Sequence, residues 1–358
     1  MPSLKEIKGR INSISSTLAI TSAMKMVAAA KLQKAQMAIQ NMLPYERRLH
    51  SMLIDLMGAM NISAAASEDG SVRGSGSAER GFDQSGDRLS LSNRHDLAGM
   101  DGAYSLMAQR EVRKVAIVAF ASNSSLCGAF NSNAIREATA VINEYRASGL
   151  GDADITVYSV GRKMAEAMKK LGFPSPADFT KMSDSPSYEA ASALAQELLD
   201  GFVSGRFDKV ELVYNHYKST SSQPTIRQTY LPLSLADATA DIQVGKITDS
   251  ASESDTNRVA EPVGAPVVRQ GSPTTEDLIV EPSKEALIAT LLPKVIRLRI
   301  FTTLLDSAAA EHAARTVAMQ LATDNGNDLL QELTLEYNKG RQQKITSEIL
   351  DLVGGSMQ

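Results

Sequence analysis

The sequence predicts a mixed α/β protein: a long antiparallel coiled coil of the N- and C-terminal helices that carries an inserted Rossmann-like α/β domain. Three observations lead there. Leu4, Ile7, Ile11, Ile14 and Leu18 recur at alternating steps of three and four, the seam of a helix that wraps a partner left-handedly. From Ser283 to Val353 helix signals run without a turn cluster, roughly 70 residues or ~105 Å at about 1.5 Å per residue. Between the two, apolar strand patterns alternate with amphipathic helical ones, as a mainly parallel sheet requires. No compact domain of this size buries so long a helix end to end, so it needs a partner of similar length. The N-terminal helix is the candidate within the chain. Both helix tips then project away from the inserted domain, a shape suited to transmitting position or torque, or to spanning a gap.

The elements follow in order. Residues 1–60 form the N-terminal coiled-coil helix. Its heptad spacing returns at Leu49, Leu53, Leu56 and Met60, and the stretch Ala23–Gln36 between is rich in Ala and Met, with high helix propensity and small side chains. Pro44 predicts a bend or a break, since an interior proline costs about 3 kcal/mol. Residues 61–110 turn to Ser, Gly, Asp and Arg and read as a flexible insertion, too poor in large apolar residues to offset its ordering entropy. The α/β foot domain spans 111–244, with strands at Lys114–Phe120, Asp154–Val160, Lys209–Asn215 and Thr225–Leu233, the last two joined by a polar hairpin. Helices are expected at Asn131–Arg146, Arg162–Leu171 and Pro186–Ser204, with an extended piece at Asp178–Met182. Residues 245–276 are a second insertion, Ser/Thr/Pro-rich, acidic and flexible, and 277–283 reads as a final foot-domain strand ending at Pro282. Ser283 is the expected N-cap of the C-terminal helix, 284–358, in which Pro293 predicts an early kink or local opening, and Gly326 and Gly340 each cost about 1 kcal/mol relative to Ala.

Composition excludes several function classes. Aromatics make up 5 % of the 358 residues and Trp is absent, so burial must come largely from aliphatic seams, and 15 Met suit irregular or sliding contacts. A net charge of -4 gives no bias toward nucleic acid, yet residues 1–60 carry eight Lys/Arg against three acids, net +5. That stretch is either a solvated helix face or a helix running close to acidic partner surfaces. The single Cys127 allows no intrachain disulfide and no cysteine metal site, and a reducing compartment fits best. The four His are scattered without ligand spacing, so no metal and no cofactor are expected. No apolar run approaches the ~20 residues of a transmembrane helix, and the N-terminus lacks the apolar core of a signal peptide. A soluble chain linked to any membrane through a partner is the expectation.

Several motifs resemble the gamma-subunit family of rotary ATP synthases. The opening helix is similar through Ala23, Met24, Met26, Val27, Ala28, Ala29 and Lys31; Leu126–Asn131 resembles the family's loop after the first strand; and Ala310–Gly326 and Tyr337–Gly355 resemble its C-terminal helix motifs. The resemblance covers the chain apart from the two insertions. Two departures stand out: Ser122–Ser125 replaces the usual Asp, basic residue and Gly before Leu126–Cys127, and Gly355 replaces an Ala.

The resemblance implies a non-catalytic central stalk whose partners are the alpha/beta hexamer of nucleotide-binding subunits, the epsilon subunit and the membrane ring of c subunits. It sets Met24, otherwise a core seam residue, in a bearing zone. It sets Lys8, Arg10, Lys25, Lys31 and Lys34 against acidic loops of the catalytic subunits, where single surface pairs count for little and only the set matters. Arg341 and Gln342, otherwise mere complements of a helix C-terminus, match an Arg–Gln pair that hydrogen-bonds a catalytic-subunit loop. Glu281 aligns with a glutamate that touches the membrane ring, or is simply solvated. It implies the cytoplasmic face of a bacterial inner membrane, held peripherally, although a mature organellar chain would look alike. A lone Cys127 excludes a thiol switch built on a cysteine pair, and with no base close in sequence it reads as buried structure. Two other classes stay on the page. A Rossmann-like enzyme needs a phosphate-cradling loop after Phe120, which Ala121–Gly128 does not supply, and a structural tether needs uniform heptads, which the Ala/Met-rich and Gly-bearing stretches interrupt.

Overall fold

A computed structural model describes residues 3–68, 106, 110–233 and 283–355. Two helices dominate it: α1 (Leu4–Glu68, 65 residues) and, at the other end of the chain, α6 (Lys284–Gly355, 72 residues). They lie side by side and run in opposite directions. Leu4 meets Gly340, Leu18 meets Gly326, Thr21 Oγ1 accepts from Thr323 Oγ1 at 3.2 Å, Leu32 packs on Ala309 and Ala313, and Thr302 Oγ1 donates to Glu46 at 3.0 Å. The inward positions of α1 keep the predicted steps of three and four: Ile7, Ala28, Leu32, Leu53 and Leu56 are buried, and Leu4, Ile11, Ile14 and Leu18 half-buried between them.

Both prolines sit within continuous helix. Pro44 is exposed and α1 shows no break there, because apolar contacts on either side outweigh one missing backbone bond. The helix also runs on past residue 60 to Glu68, where Ala64, Ala65 and Ala66 have high propensity. Ser283 caps α6, its hydroxyl accepting from the Ala286 amide at 3.1 Å. Most of the first insertion, all of 245–276, and the expected strand 277–283 apart from Ser283 lie outside the described residues.

The inserted domain is a four-stranded sheet in the order β2-β1-β3-β4, with β1 Val115–Phe120, β2 Ile155–Val160, β3 Lys209–Asn215 and β4 Thr225–Leu231. The first three run parallel and β4 antiparallel to β3, so the polar hairpin closes the edge. Helices α2 (Phe130–Ala147) and α3 (Arg162–Lys170) cover one face through Ala134, Ala138, Val141, Met164 and Met168. On the other face lie α5 (Tyr188–Val203) and the first turns of α6, with Leu194, Leu198, Ile288, Leu292, Ile296 and Leu304 sharing a core with Leu53 and Leu56 of α1. The early part of α6 is thus a layer of the foot and the later part a strut of the rod. The piece expected to be extended at Asp178–Met182 is instead a short helix, α4 (Thr180–Asp184): the Asp178 carboxylate accepts the Thr180 amide two residues on at 2.9 Å, a local aspartate turn that leads into the helix, and burial of Met182 holds it. Gly161 follows β2 at φ 98, and a Cβ there would sit 2.0 Å from the Ala121 carbonyl oxygen, so only glycine lets these two strand ends close up.

One buried acid anchors the face of β3 that α2 covers. Glu211 accepts from Tyr145 Oη at 2.6 Å, Arg227 Nε at 2.7 Å and Lys209 Nζ at 2.7 Å. Burial alone would raise its pKa, but the two cations and the phenol outweigh that and hold it below the ordinary carboxylate value. A group so depressed stabilises the fold above its unfolded pKa, and that contribution is lost as pH falls through the folded one.

Two measurements check this architecture. Glu211→Ala removes the buried partner of Lys209 and Arg227, leaving Arg227 with Glu144 alone, and lowers unfolding stability by about 3 kcal/mol at neutral pH, with the difference from the wild type shrinking as the pH falls through the carboxylate range; urea titrations at several pH values read it. At Gly326 a Cβ would lie 2.7 Å from Leu18 Cδ2, whereas at Gly340 its nearest neighbour, Leu4 Cδ2, is at 3.2 Å. Helix propensity favours Ala by about 1 kcal/mol at both sites, so Gly340→Ala raises the melting temperature and Gly326→Ala gains less or loses.

Candidate functional site

The surface that can carry partners is the rod, because it is long, grooved and rich in exposed apolar groups. On α1 Ile20, Met26, Val27 and Met37 face solvent, and on α6 Leu321, Leu329 and Leu335 do so. Beyond Gly340 α6 passes the start of α1 at Leu4, so, among the described residues, 341–355 continue as a single helix for about 22 Å at 1.5 Å per residue. That overhang exposes Ile345, Ile349, Leu350, Leu352 and Val353.

The sequence-derived residues fall into three groups on this rod. Arg341 and Gln342 are exposed at the start of the overhang, and Gln342 lines a shallow surface groove with Lys339, Gln343, Thr346, Ser347 and Leu350. Lys8 and Arg10 lie close by on α1, both exposed, with Arg10 paired to Glu6 one turn earlier at 2.8 Å. Met24, Lys25, Lys31 and Lys34 lie further toward the foot. Antiparallel registry puts Met24 about 30 Å along the axis from Arg341, so the two sets occupy separate levels. Met24 and Lys25 are half-buried, the latter bonded to Gln320 on α6, while Lys31 and Lys34 are exposed. Glu281 lies outside the described residues.

A second concentration of polar groups marks the junction of rod and foot, and no sequence pattern singled it out. Asp306 on α6 accepts the Tyr217 amide at 2.9 Å and pairs with His216 Nδ1 at 2.6 Å. Gln36 Nε2 on α1 donates to Tyr217 Oη at 2.7 Å. Arg315 pairs with Glu311 at 2.7 Å and donates to Ser124 Oγ, also at 2.7 Å. Burial raises the Glu311 pKa despite Arg315, and it pushes His312 down to about 4, aided by Arg315 and Lys31. The available signal was the small-residue run Ser307–Ala310 with Ala313: Ala308, Ala309, Ala310 and Ala313 are all buried, the mark of a close approach.

Cys127 belongs to the same region. Its sulfur is buried and lies 3.2 Å from Asn131 Nδ2 and 3.7 Å from Ser122 Oγ, while Asn131 Oδ1 accepts both from the Ser122 amide and from its hydroxyl at 3.0 Å. The loop is knotted on itself, with Leu126 at φ 68 and Gly128 at φ 58, and Gly128 faces Ala318 of α6. Its polar groups serve loop geometry, and among the described residues no imidazole bonds the thiol to act as a base. Among the described residues no three His, Cys, Asp or Glu side chains converge as metal ligands, and no helix is long and apolar enough to cross a membrane.

Comparison with known proteins adds the family. A family model described as ATP synthase matches residues 3–357. The ATP synthase gamma chain of Phocaeicola vulgatus is 47% identical over 357 residues, covering 100% of both chains, and that of Bacteroides thetaiotaomicron 45% identical over 358 residues, again 100% of both. The gamma chain of Flavobacterium johnsoniae is 36% identical over 356 residues, 99% of this chain and 98% of that one. A solved chain of the Euglena gracilis mitochondrial ATP synthase covers 92% of this chain and 94% of its own at 17% identity, with a TM-score of 0.44, and the assignment rests on the sequence relatives instead. Matched from end to end at these identities, the chain belongs to the ATP synthase gamma chain family.

Proposed function

We propose that the chain is the rotor shaft of a membrane-associated ATP synthase, the central stalk that couples rotation of an ion-driven ring to conformational cycling of the catalytic subunits. The observation that carries this reading, with the family, is an asymmetric rod about 100 Å long, as 1.5 Å per residue gives, rooted in a foot domain and overhanging at its tip. A rod of two unlike helices presents a different face in each direction, so three catalytic subunits around it meet different contacts at any moment. It shifts each site only by its differential contact energy with that site's conformations, and turning it passes the preference from one site to the next.

The partner-binding residues in this reading are Arg341 and Gln342 at the tip, Lys8 and Arg10 beside them, and Met24, Lys25, Lys31 and Lys34 nearer the foot. The planar fork of Arg341 suits bidentate capture of a carboxylate, which a lysine would not match. Met24 and the neighbouring exposed Met26 and Val27 supply a smooth, deformable surface for sliding. The bonds are made and broken in nucleotide-binding subunits, and this chain holds no catalytic site. Its partners are the alpha/beta hexamer, the epsilon subunit and the c ring, with Glu281 as the contact to that ring and the coiled-coil supercoil as the form of the shaft. The assembly places it peripherally on the cytoplasmic face of the inner membrane.

In a reconstituted complex, a probe fixed to the foot domain turns when ATP is added; a stationary probe on a complex that is hydrolysing ATP would sink the reading. Arg341→Ala and Gln342→Ala lie on exposed helix and change the stability of the chain by no more than about 0.5 kcal/mol. The same variants lower ATP turnover of the assembled complex by about tenfold, the loss of a charge-assisted contact of ~1.5 kcal/mol, which steady-state hydrolysis assays read.

A further inference from the structure

In doubly wound sheets, ligands bind outside the carboxyl ends of the strands, in the crevice where the strand order reverses. In this foot domain β1 is flanked by β2 and β3, with α2 on one face and α5 on the other, so the crevice falls at the loops that follow β1 and β3. Those loops meet the rod. Ser124 and Gly128 of the first touch Arg315 and Ala318 of α6, and His216 and Tyr217 of the second engage Asp306. Arg315 and Ala318 mark how far along α6 these loops reach, and by the antiparallel registry Met24 lies just above that level.

Tyr217 touches every body at this junction. Its amide is bonded to Asp306 of α6 and its hydroxyl to Gln36 of α1, and its ring packs both with Leu32, Ala309 and Ala313 and with Cys127, Phe130 and Ala310. Asp306 uses both oxygens, one for the Tyr217 amide and one for the His216 ring. Apolar packing resists separation but is non-directional and tolerates twist, whereas hydrogen bonds fix an angle.

We infer that Asp306 and Tyr217 form a clasp that fixes the angle between the foot and both shaft helices where the shaft leaves the foot, and so act as positioning residues for torque transfer. The inference rests on the rotor reading. The carboxyl edge that would hold a small molecule in an enzyme here holds the shaft. The charged groups acting on His216 are Asp306 from α6 and Lys218 from its own turn, and the hydrogen bond to Asp306 raises its pKa despite burial. A raised imidazole pKa means that this arm of the clasp is fully made below the ordinary histidine value and weakens as pH rises through the raised one.

The test uses the whole reconstituted complex with the catalytic subunits locked by a non-hydrolysable nucleotide, and reads the angular width of a probe on the foot. Asp306→Ala widens the distribution about twofold, because the bonds from the Tyr217 amide and the His216 ring both lose their acceptor, while Tyr217→Phe, which loses the bond from Gln36 and the weaker contact with Thr220 Oγ1 in its own turn, widens it less. The wild-type width grows as pH rises through the His216 titration, and in His216→Gln that dependence vanishes. An Asp306→Ala complex that assembles and keeps the wild-type width overturns the clasp, as does a pH dependence that persists in His216→Gln. Should Asp306→Ala fail to assemble, Asp306→Asn keeps an acceptor for the Tyr217 amide and loses the charge, and an unchanged width and pH response there overturns it equally. Loss of ATP-driven rotation in the wild type would count against the rotor reading instead.

Discussion

Each of the two long helices has an apolar seam that nothing else in the described structure can cover along the rod, and their mutual burial is the constraint on which the rest depends. An isolated helix gains little from propensity alone, and most of its stability comes from packing one face. The seam here is built for close approach more than for bulk: alanines at 28, 309, 310 and 313 are buried, and Gly326 provides the hollow that receives Leu18. The spacing is regular. Gly326 and Gly340 lie two heptads apart on α6, facing Leu18 and Leu4, which lie two heptads apart on α1. At Gly326 a glycine that weakens its own helix makes room for Leu18 and so helps fix the register of the pair, and the polar layer of Thr21 with Thr323 and Lys25 with Gln320 marks the same register.

The foot is tied to that rod by continuity rather than by docking alone. The residues of α6 from Ile288 to Leu304 complete the core on one face of the sheet, so a single helix is first an internal layer and then a strut. Torque applied to the foot therefore enters the rod through a helix that is already part of the foot's hydrophobic core. The sheet itself is stiffened by the ion cluster around Glu211, which joins β3, β4 and α2 in one network. Its geometry satisfies the buried acid on several sides, which is what makes a buried charge tolerable.

The heptads, the long run after Ser283 and the strand and helix alternation were legible in the sequence because each is a local periodicity of the chain. Where sequence reasoning went astray, local chemistry and packing decided the outcome. At Asp178–Met182 an aspartate turn, in which the Asp178 carboxylate accepts the Thr180 amide, led an extended expectation into a short helix, and of the bend or break expected at Pro44 the break does not occur. The candidate tip residues Arg341 and Gln342 came from motifs rather than from any physical signal in their own neighbourhood. The junction of Asp306, His216, Tyr217 and Gln36 gave almost none, since its members are separated by up to 270 residues and their pairing depends on three elements meeting.

By itself the sequence pointed to two long terminal helices with an inserted α/β domain, and its motifs carried the resemblance to the gamma-subunit family. Periodicity and composition are properties of consecutive residues, and they survive without coordinates. Only the tertiary structure decided the register of the two helices, the overhang by which residues 341–355 run past the start of α1 among the described residues, and the ~30 Å that separate Met24 from Arg341 along the axis. It alone also turned the carboxyl edge of the sheet toward the shaft. These depend on which surfaces meet across the chain, and that is settled by the shape of buried side chains, down to the absence of one at Gly326.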